Sequence, residues 1–390
     1  MAAPIKALVA HGGGPTAVIN ASLAGLARGV RASGGLLFGA PGGIPALLAG
    51  RFADLSMHGD SLWDEIALAP GSALGSSRQA LLDGDCERIV EQFRRQEIRC
   101  FFYTGGNGSM GTALRVERCA RAARYELQVI GIPKTIDNDL LETDHSPGYG
   151  STARFFACAA RDAGQDNRSL PSPICVLEVL GRNAGWIAAA TAMARHNEDD
   201  APHLILLPER RVSLETIAAA AERVYRRLGR VFLAVCEGQR DERGLPFGAD
   251  VDRPGSPTHE LASNLGHTLA RALTAKLGLR ARAEKPGLVG RSCGLFVSVA
   301  DRQAALLCGL AAAGAAANGA TGVMTALRRE GSQPYAASTF LTPLERVAGQ
   351  ERLLPEDFRA ADGLGVTTAF LEYLSPLTGP VPPWSRLPGF

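Results

Sequence analysis

Short apolar runs alternate with longer alanine-rich stretches along most of this chain, and that alternation limits the folds open to it. Candidate strands are Ala7–Ala10, Leu36–Gly39, Arg99–Thr104, Gln128–Pro133, Ile174–Leu180, His203–Leu207 and Val231–Cys236. Helix-like segments lie between them at Ala17–Ala32, Glu87–Glu97, Gly111–Arg124, Gly150–Ala163, Ala184–Arg195 and Leu214–Leu228. Strand–helix alternation at this spacing builds parallel sheets covered by helices on both faces. The expected fold is α/β, with two doubly wound, Rossmann-like parallel-sheet domains. Ligands of such folds bind at the carboxyl ends of the strands.

Three strand ends run into glycine or dense polarity. His11-Gly12-Gly13-Gly14-Pro15-Thr16 follows the first strand. Bare glycine backbone at a helix start lets a phosphate reach main-chain N–H groups, although a tight turn would use the same residues. Gly105-Gly106-Asn107-Gly108-Ser109 repeats the arrangement, and Asn107 or Ser109 is expected to cap the next helix. Two such loops side by side would suit a polyphosphate better than a lone anion. The triple-glycine turn is not GxGxxG, and GxxxxGK[ST] occurs nowhere in the chain, so the P-loop fingerprint is absent.

Pro133-Lys134-Thr135-Ile136-Asp137-Asn138-Asp139 is the most informative stretch. Lys134 can neutralise a transferring phosphoryl group. Asp137 can take a proton from a hydroxyl nucleophile. Asp139 can help to hold Mg²⁺. The competing reading is an Asx-rich turn with a surface salt bridge. Arg78, Arg182, Arg282 and Arg291 sit in predicted loops or at strand ends, where guanidinium forks suit phosphate, though most arginines in any chain are solvated. Glu237 ends a strand as a sugar-hydroxyl acceptor or a cap.

The formal net charge is +2, which speaks against a general electrostatic nucleic-acid binder. No apolar run reaches the ~20 residues that a membrane helix needs. The start, MAAPIKALVAHGGG, does not read as a signal peptide, so a cytoplasmic location is expected, with no membrane partner. Eight cysteines form no CxxC pair and read as small buried hydrophobes in a reducing compartment.

Taken together, these stretches resemble the phosphofructokinase family. The similarity runs from Gly13-Gly14-Pro15-Thr16-Ala17-Val18-Ile19-Asn20 through Gly75-Ser76-Ser77-Arg78, Gly105–Ser109 and Pro133–Asp139 to Glu178–Gly185, Ala234–Gly238 and Gly290-Arg291. The resemblance implies a two-domain enzyme with its site in the cleft between the domains. The donor-binding domain would comprise residues 1–145 plus about 290–340, and the sugar-phosphate domain residues 146–289. Residues 341–390 would pack on both as an extension. The enzyme would be a homodimer or homotetramer and move a phosphoryl group from ATP or pyrophosphate to the 1-hydroxyl of fructose 6-phosphate, with Mg²⁺. A kinase for a related sugar phosphate, such as sedoheptulose 7-phosphate, is the alternative acceptor reading.

By the same resemblance Asp137 is the catalytic base, with Thr135 and Lys134 at the reacting phosphoryl group. Gly14, Arg78, Gly106, Asn107, Gly108 and Ser109 take donor positions. Leu180, Gly181, Arg182, Glu237, Arg282 and Arg291 take the sugar phosphate, Arg282 reaching into a neighbouring subunit. Asn107 and Asp139 take the metal. The chain departs from the family pattern at Asn107, where an aspartate is usual, and at Leu288, where histidine or tyrosine is usual. Two residues bear on the donor. Pyrophosphate users carry aspartate at the position of Gly108, and its carboxylate repels the α-phosphate of ATP. They also carry a lysine like Lys134. The missing carboxylate tilts the expectation to ATP, with pyrophosphate as the alternative.

Overall fold

The computed structural model describes residues 5–170, 172–245, 247 and 264–387. They divide into two compact units, residues 1–151 with 291–352 and residues 152–290 with 353–390. The strands are β1 (Lys6–His11), β2 (Leu36–Gly39), β3 (Ala53–Asp54), β4 (Cys100–Gly105), β5 (Gln128–Pro133), β6 (Ile174–Val179), β7 (Leu204–Leu206), β8 (Val231–Cys236), β9 (Ala281–Glu284), β10 (Val323–Ser332) and β11 (Tyr335–Pro343). The helices are α1 (Ile19–Ala32), α2 (Ile44–Ala49), α3 (Asp60–Leu68), α4 (Asp85–Arg95), α5 (Asn107–Ala122), α6 (Tyr149–Ser169), α7 (Trp186–Ala190), α8 (Leu214–Leu228), α9 (Leu265–Leu277), α10 (Val299–Ala317) and α11 (Thr368–Thr378).

The first unit holds a seven-stranded sheet in the order β11-β10-β5-β4-β1-β2-β3. Its middle is parallel and both edges are antiparallel. The middle strands carry apolar side chains to both faces, as strands covered on both sides must. Leu8, Ala10, Phe101 and Tyr103 pack with α2, α4 and α5, for example on Ile44, Phe93 and Met110. Their neighbours Val9, Cys100 and Phe102 face the other way, with Leu23 and Leu26 of α1 and Cys308 of α10. Helices α1 and α10 meet at main-chain distance. A Cβ on Gly25 would lie 2.2 Å from the Leu306 carbonyl oxygen, and one on Gly309 would lie 2.0 Å from that of Ser22.

The second unit holds a four-stranded, all-parallel sheet in the order β7-β8-β6-β9. Every residue of β6 and β8 is buried. The expected helix at 184–195 is shorter here: α7 gives way to a 3-10 turn at Thr191–Ala194. The proline-rich stretch after Gly379, which reads from sequence as a surface tail, is mostly exposed through residue 387 but fastened. Val381 is buried, its carbonyl accepts from His196 Nε2 at 2.8 Å, and Arg161 lies 4.3 Å over the Trp384 ring.

Six of the eight cysteines are buried and all are free thiols. Among the described residues no single helix is long and apolar enough to cross a membrane.

Candidate active site

In the first unit, three parallel strands end side by side and release the three motif loops. β1 leads to the triple glycine, β4 to Gly106–Ser109 and β5 to Lys134–Asp139. Lys134 joins them. Its side chain is buried, and its Nζ donates to the carbonyls of Gly12 at 2.8 Å and Gly14 at 2.7 Å. Burial pushes the ammonium down to about 8; Arg291 and Arg78 push the same way, while Asp137 and Asp139 oppose them. So Lys134 is a structural tie as well as a charge. A solvated lysine on a surface turn would make neither bond.

Thr135 orders the two aspartates. Its Oγ1 accepts from the Asp137 N–H at 3.1 Å, and its hydroxyl also reaches the Asp139 carboxyl. Burial raises the Asp139 pKa above the ordinary carboxylate range. Its Oδ1 is buried without a hydrogen-bond partner among the described residues. Asn138, between the aspartates, has φ 54°, and its Oδ1 accepts from the Ser146 N–H at 2.9 Å. A non-glycine residue in the left-handed region marks a loop held in shape by its surroundings.

The donor loop differs in detail from the expectation. Helix α5 begins at Asn107, with extended Gly106 as its N-cap and no side-chain cap. Neither Asn107 nor Ser109 caps it. The Asn107 side chain instead turns to residues 349–350: its Oδ1 accepts from the Gly349 N–H at 2.7 Å, and its Nδ2 donates to the Gln350 carbonyl. Ser109 is buried beneath the glycine turns, where a Cβ on Gly12 or Gly105 would run into its Oγ. At Gly108 a Cβ would meet nothing within 4 Å. Arg78 is exposed, and its loop is laced to the first one by a 2.9 Å bond from the Gly13 N–H to the Ser77 carbonyl. Behind these loops His11 is buried, with Nδ1 2.8 Å from Ser72 Oγ. Burial and the Lys134 charge push it down to about 3.

Arg291 lies in this unit. Its guanidinium packs on Gly14, where a Cβ would come within 2.8 Å of Nη1. Burial and Arg78 lower its pKa, while Asp137 opposes them. The first unit therefore gathers Gly14, Gly106, Asn107, Gly108, Lys134, Thr135, Asp137, Asp139 and Arg291 around the ends of β1, β4 and β5.

The second unit gathers Leu180, Gly181, Arg182 and Glu237 at the ends of β6 and β8. The Glu237 Oε1 accepts from the Gly181 N–H at 3.3 Å, and burial raises its pKa, with Lys285 and Arg182 opposing. Gly238 is packed so tightly on this turn that a Cβ would fall 1.4 Å from the Arg182 carbonyl oxygen. The Arg182 side chain is exposed. Arg282 stands apart. It pairs in register with Cys175, five residues before Leu180, which is about 16 Å along the strand. It lies on the outer strand β9, half exposed, 3.0 Å from Glu284.

Four supporting residues were not singled out from the sequence. Arg352 grips the loop that carries the aspartates. Asp301 is buried and accepts from the N–H groups of Gly148 and Ser151 at the start of α6, at 2.8 and 2.9 Å. Glu178 is buried between Lys285, at 2.6 Å, and the Gly266 N–H, at 2.7 Å. Glu209 accepts from the N–H groups of Gly185 and Leu354, both at 2.8 Å. Only Asp301 has a local signal, as the fourth residue of a Ser-x-x-Asp start to α10.

Mg²⁺ is held by one or two carboxylates, with phosphate and water completing its shell. The buried, unpartnered Oδ1 of Asp139 fits one such position. Asn107 fits less well, because its carbonyl oxygen is engaged by Gly349. Among the described residues no group of three or more His, Cys, Asp or Glu could hold a metal by itself.

The sequence model of the family described as Phosphofructokinase matches residues 6–316. The pyrophosphate–fructose 6-phosphate 1-phosphotransferase of Rhodospirillum rubrum is 39% identical over 96% of this chain and 94% of its own length. The ATP-dependent 6-phosphofructokinase of Propionibacterium freudenreichii is 32% identical over 90% of this chain and 96% of its own. Among solved structures, the pyrophosphate-dependent phosphofructokinase of Nitrosospira multiformis superposes with a TM-score of 0.88 at 32% identity, covering 100% of this chain and 95% of that one. With its strand-end loops arranged as above and a match spanning both units, the chain belongs to the phosphofructokinase family.

Proposed function

We propose that this protein transfers a phosphoryl group from pyrophosphate to the 1-hydroxyl of fructose 6-phosphate, giving fructose 1,6-bisphosphate, with Mg²⁺. The buried Lys134 ammonium, bonded to the triple-glycine loop and interacting with Asp137, is the observation that carries this reading. Phosphoryl transfer asks for in-line positioning and charge neutralisation more than for covalent chemistry. Lys134, Arg78 and Arg291 supply positive charge where the transferring group would sit, and Gly14, Gly106 and Gly108 supply approachable backbone. Asp137 takes the proton of the attacking hydroxyl, and Thr135 holds its backbone in place. Bound Mg²⁺, held by Asp139, would offset charge on the phosphate oxygens. Leu180, Gly181, Arg182 and Glu237 bind the sugar phosphate, and Arg282 serves a neighbouring copy in a cytoplasmic homodimer or homotetramer.

The donor assignment moves from ATP to pyrophosphate. Gly108 removes a repulsion, but the absence of a carboxylate does not make a nucleotide site. The similarity to pyrophosphate users runs over nearly the whole chain at higher identity than that to the ATP user. The open space at Gly108 still favours ATP as the second reading. The test compares kcat/KM for pyrophosphate and ATP with fructose 6-phosphate and Mg²⁺. A clear preference for ATP removes the donor assignment. Asp137→Ala should lower kcat about 10²–10⁴-fold in a folded protein; an unchanged kcat removes Asp137 as the base.

A further inference from the structure

The loop that carries Asp137 and Asp139 is fastened by a residue outside the stretch that the family model matches. Arg352 donates from Nε and Nη2 to the Asn138 carbonyl, at 3.1 and 3.0 Å. Its Nη1 donates to the carbonyls of Thr143, at 2.6 Å, and Asp144, at 2.9 Å. Its own N–H donates to the Asp139 carbonyl at 2.8 Å. One residue therefore holds both ends of the segment 138–144. Immediately before it, Gly349 and Gln350 are bonded to the side chain of Asn107 in the donor loop. The turn 349–352 thus bonds the donor loop at one end and the aspartate loop at the other.

We propose that Arg352 is a positioning residue for phosphoryl transfer: its guanidinium sets the aspartate loop against the donor loop. Three carbonyl oxygens converge on it, and only a planar fork with several donors satisfies them together. Lysine carries the charge but offers a point rather than a fork. Asn138 adds a reason for the grip, since its positive φ needs outside support. These guanidinium bonds all go to main-chain carbonyls, so its loss should misplace the reacting groups rather than weaken binding. A displacement of about 1 Å at the reacting atoms is worth on the order of 10²-fold in rate.

The inference rests on the phosphotransferase reading for its kinetic readout. The experiment measures Arg352→Ala and Arg352→Lys in the full chain, with pyrophosphate or ATP, whichever the wild-type protein uses. Both variants should lose about 30- to 100-fold in kcat while both KM values stay within about twofold. Millimolar guanidinium should restore much of the Arg352→Ala rate and leave Arg352→Lys unchanged. Hydrogen exchange of residues 138–146 should rise in both. A KM increase that tracks a lower Tm, without rescue by guanidinium, would overturn the proposal, since that is the mark of general destabilisation. If Arg352→Ala does not fold, Arg352→Lys decides: a wild-type kcat there overturns the proposal, and a reduced kcat with unchanged KM supports it. Failure of the underlying reading looks different, since the wild-type protein would then turn over neither donor.

Discussion

The loops that carry the candidate site residues are held by cations in the first unit and by carboxylates in the second. In the first, buried Lys134 holds the carbonyls of Gly12 and Gly14, and half-buried Arg352 holds those of Asn138, Thr143 and Asp144. In the second, carboxylates tie down N–H groups: half-buried Glu237 holds that of Gly181, half-buried Glu209 those of Gly185 and Leu354, and buried Glu178 that of Gly266. The difference bears on what each unit can bind. When carbonyls are consumed, N–H groups remain for an anion, as suits a bare polyphosphate. When N–H groups are consumed by glutamates, anion recognition falls to side chains such as Arg182, and the glutamates remain as acceptors for hydroxyls, as suits a sugar phosphate.

The sharpest way to break this contrast is to remove one tie from each unit. Lys134→Met should cut kcat/KM for the donor on the order of 10²–10³-fold, because two carbonyls lose a buried partner and the donor loses a charge. The KM for fructose 6-phosphate should change little. Glu237→Gln should do the reverse, raising the sugar-phosphate KM with a small effect on the donor KM. Steady-state kinetics with each substrate varied in turn checks both, and crossed effects would end the comparison.

Gly238→Ala tests how rigid the second unit's turn is. Its Cβ would overlap the Arg182 carbonyl, so a loss of about 1–3 kcal/mol is expected in thermal or denaturant unfolding. An unchanged Tm would mean that the turn yields.

The pH dependence separates the two roles of Lys134. Its proton is lost near pH 8 in the folded protein, so kcat/KM should fall as pH rises through that value. The unfolded chain keeps the proton up to the ordinary value of 10.5, so between the two values it binds more protons than the folded state. Folding stability should therefore rise over the window in which activity falls. Parallel losses of activity and stability above pH 8 would contradict the assignment, and Lys134→Met should lose the stability trend.

The smallest effect is expected at Gly108→Asp. The added side chain enters open space. Pyrophosphate use should stay within about threefold, while any ATP use should drop by tenfold or more through like-charge exclusion. Equal losses with both donors would show that this position does not gate the donor.

The sequence makes some of this legible and hides the rest for physical reasons. β2, β5 and β8 run as expected, because each is a short, almost wholly apolar run bounded by turn or polar residues, and β8 is buried throughout. Lys134, Asp137 and Asp139 stand out by the density of charge after an apolar run, and Thr135 only through the family resemblance. β10 and β11 were missed, since the outer half of that hairpin alternates partly exposed residues with polar ones. Arg352 has no local signature at all. Its partners lie more than 200 residues away, and nothing in Gln350-Glu351-Arg352-Leu353 distinguishes a loop clamp from a solvated arginine. Asn107 was misread as a cap because local pattern favours it there, while the bond to Gly349 is set by tertiary packing. Arg291, expected among the sugar-phosphate residues, packs on Gly14 in the fold, a neighbour that the sequence does not reveal.

The contact of α1 with α10 has a mechanical consequence. Helices in globular proteins can shear by small slides when side chains alone separate them. Here Gly25 and Gly309 bring main chain against main chain, and a slide would drive neighbouring leucines into the gaps that glycine leaves. α1 follows the triple-glycine loop, and α10 carries Asp301, which fixes the turn before α6. With that joint locked, the first unit has little means of adjusting to substrate by helix sliding. Any motion that accompanies turnover within it is left to the loops, on the faster timescale of side chains and turns.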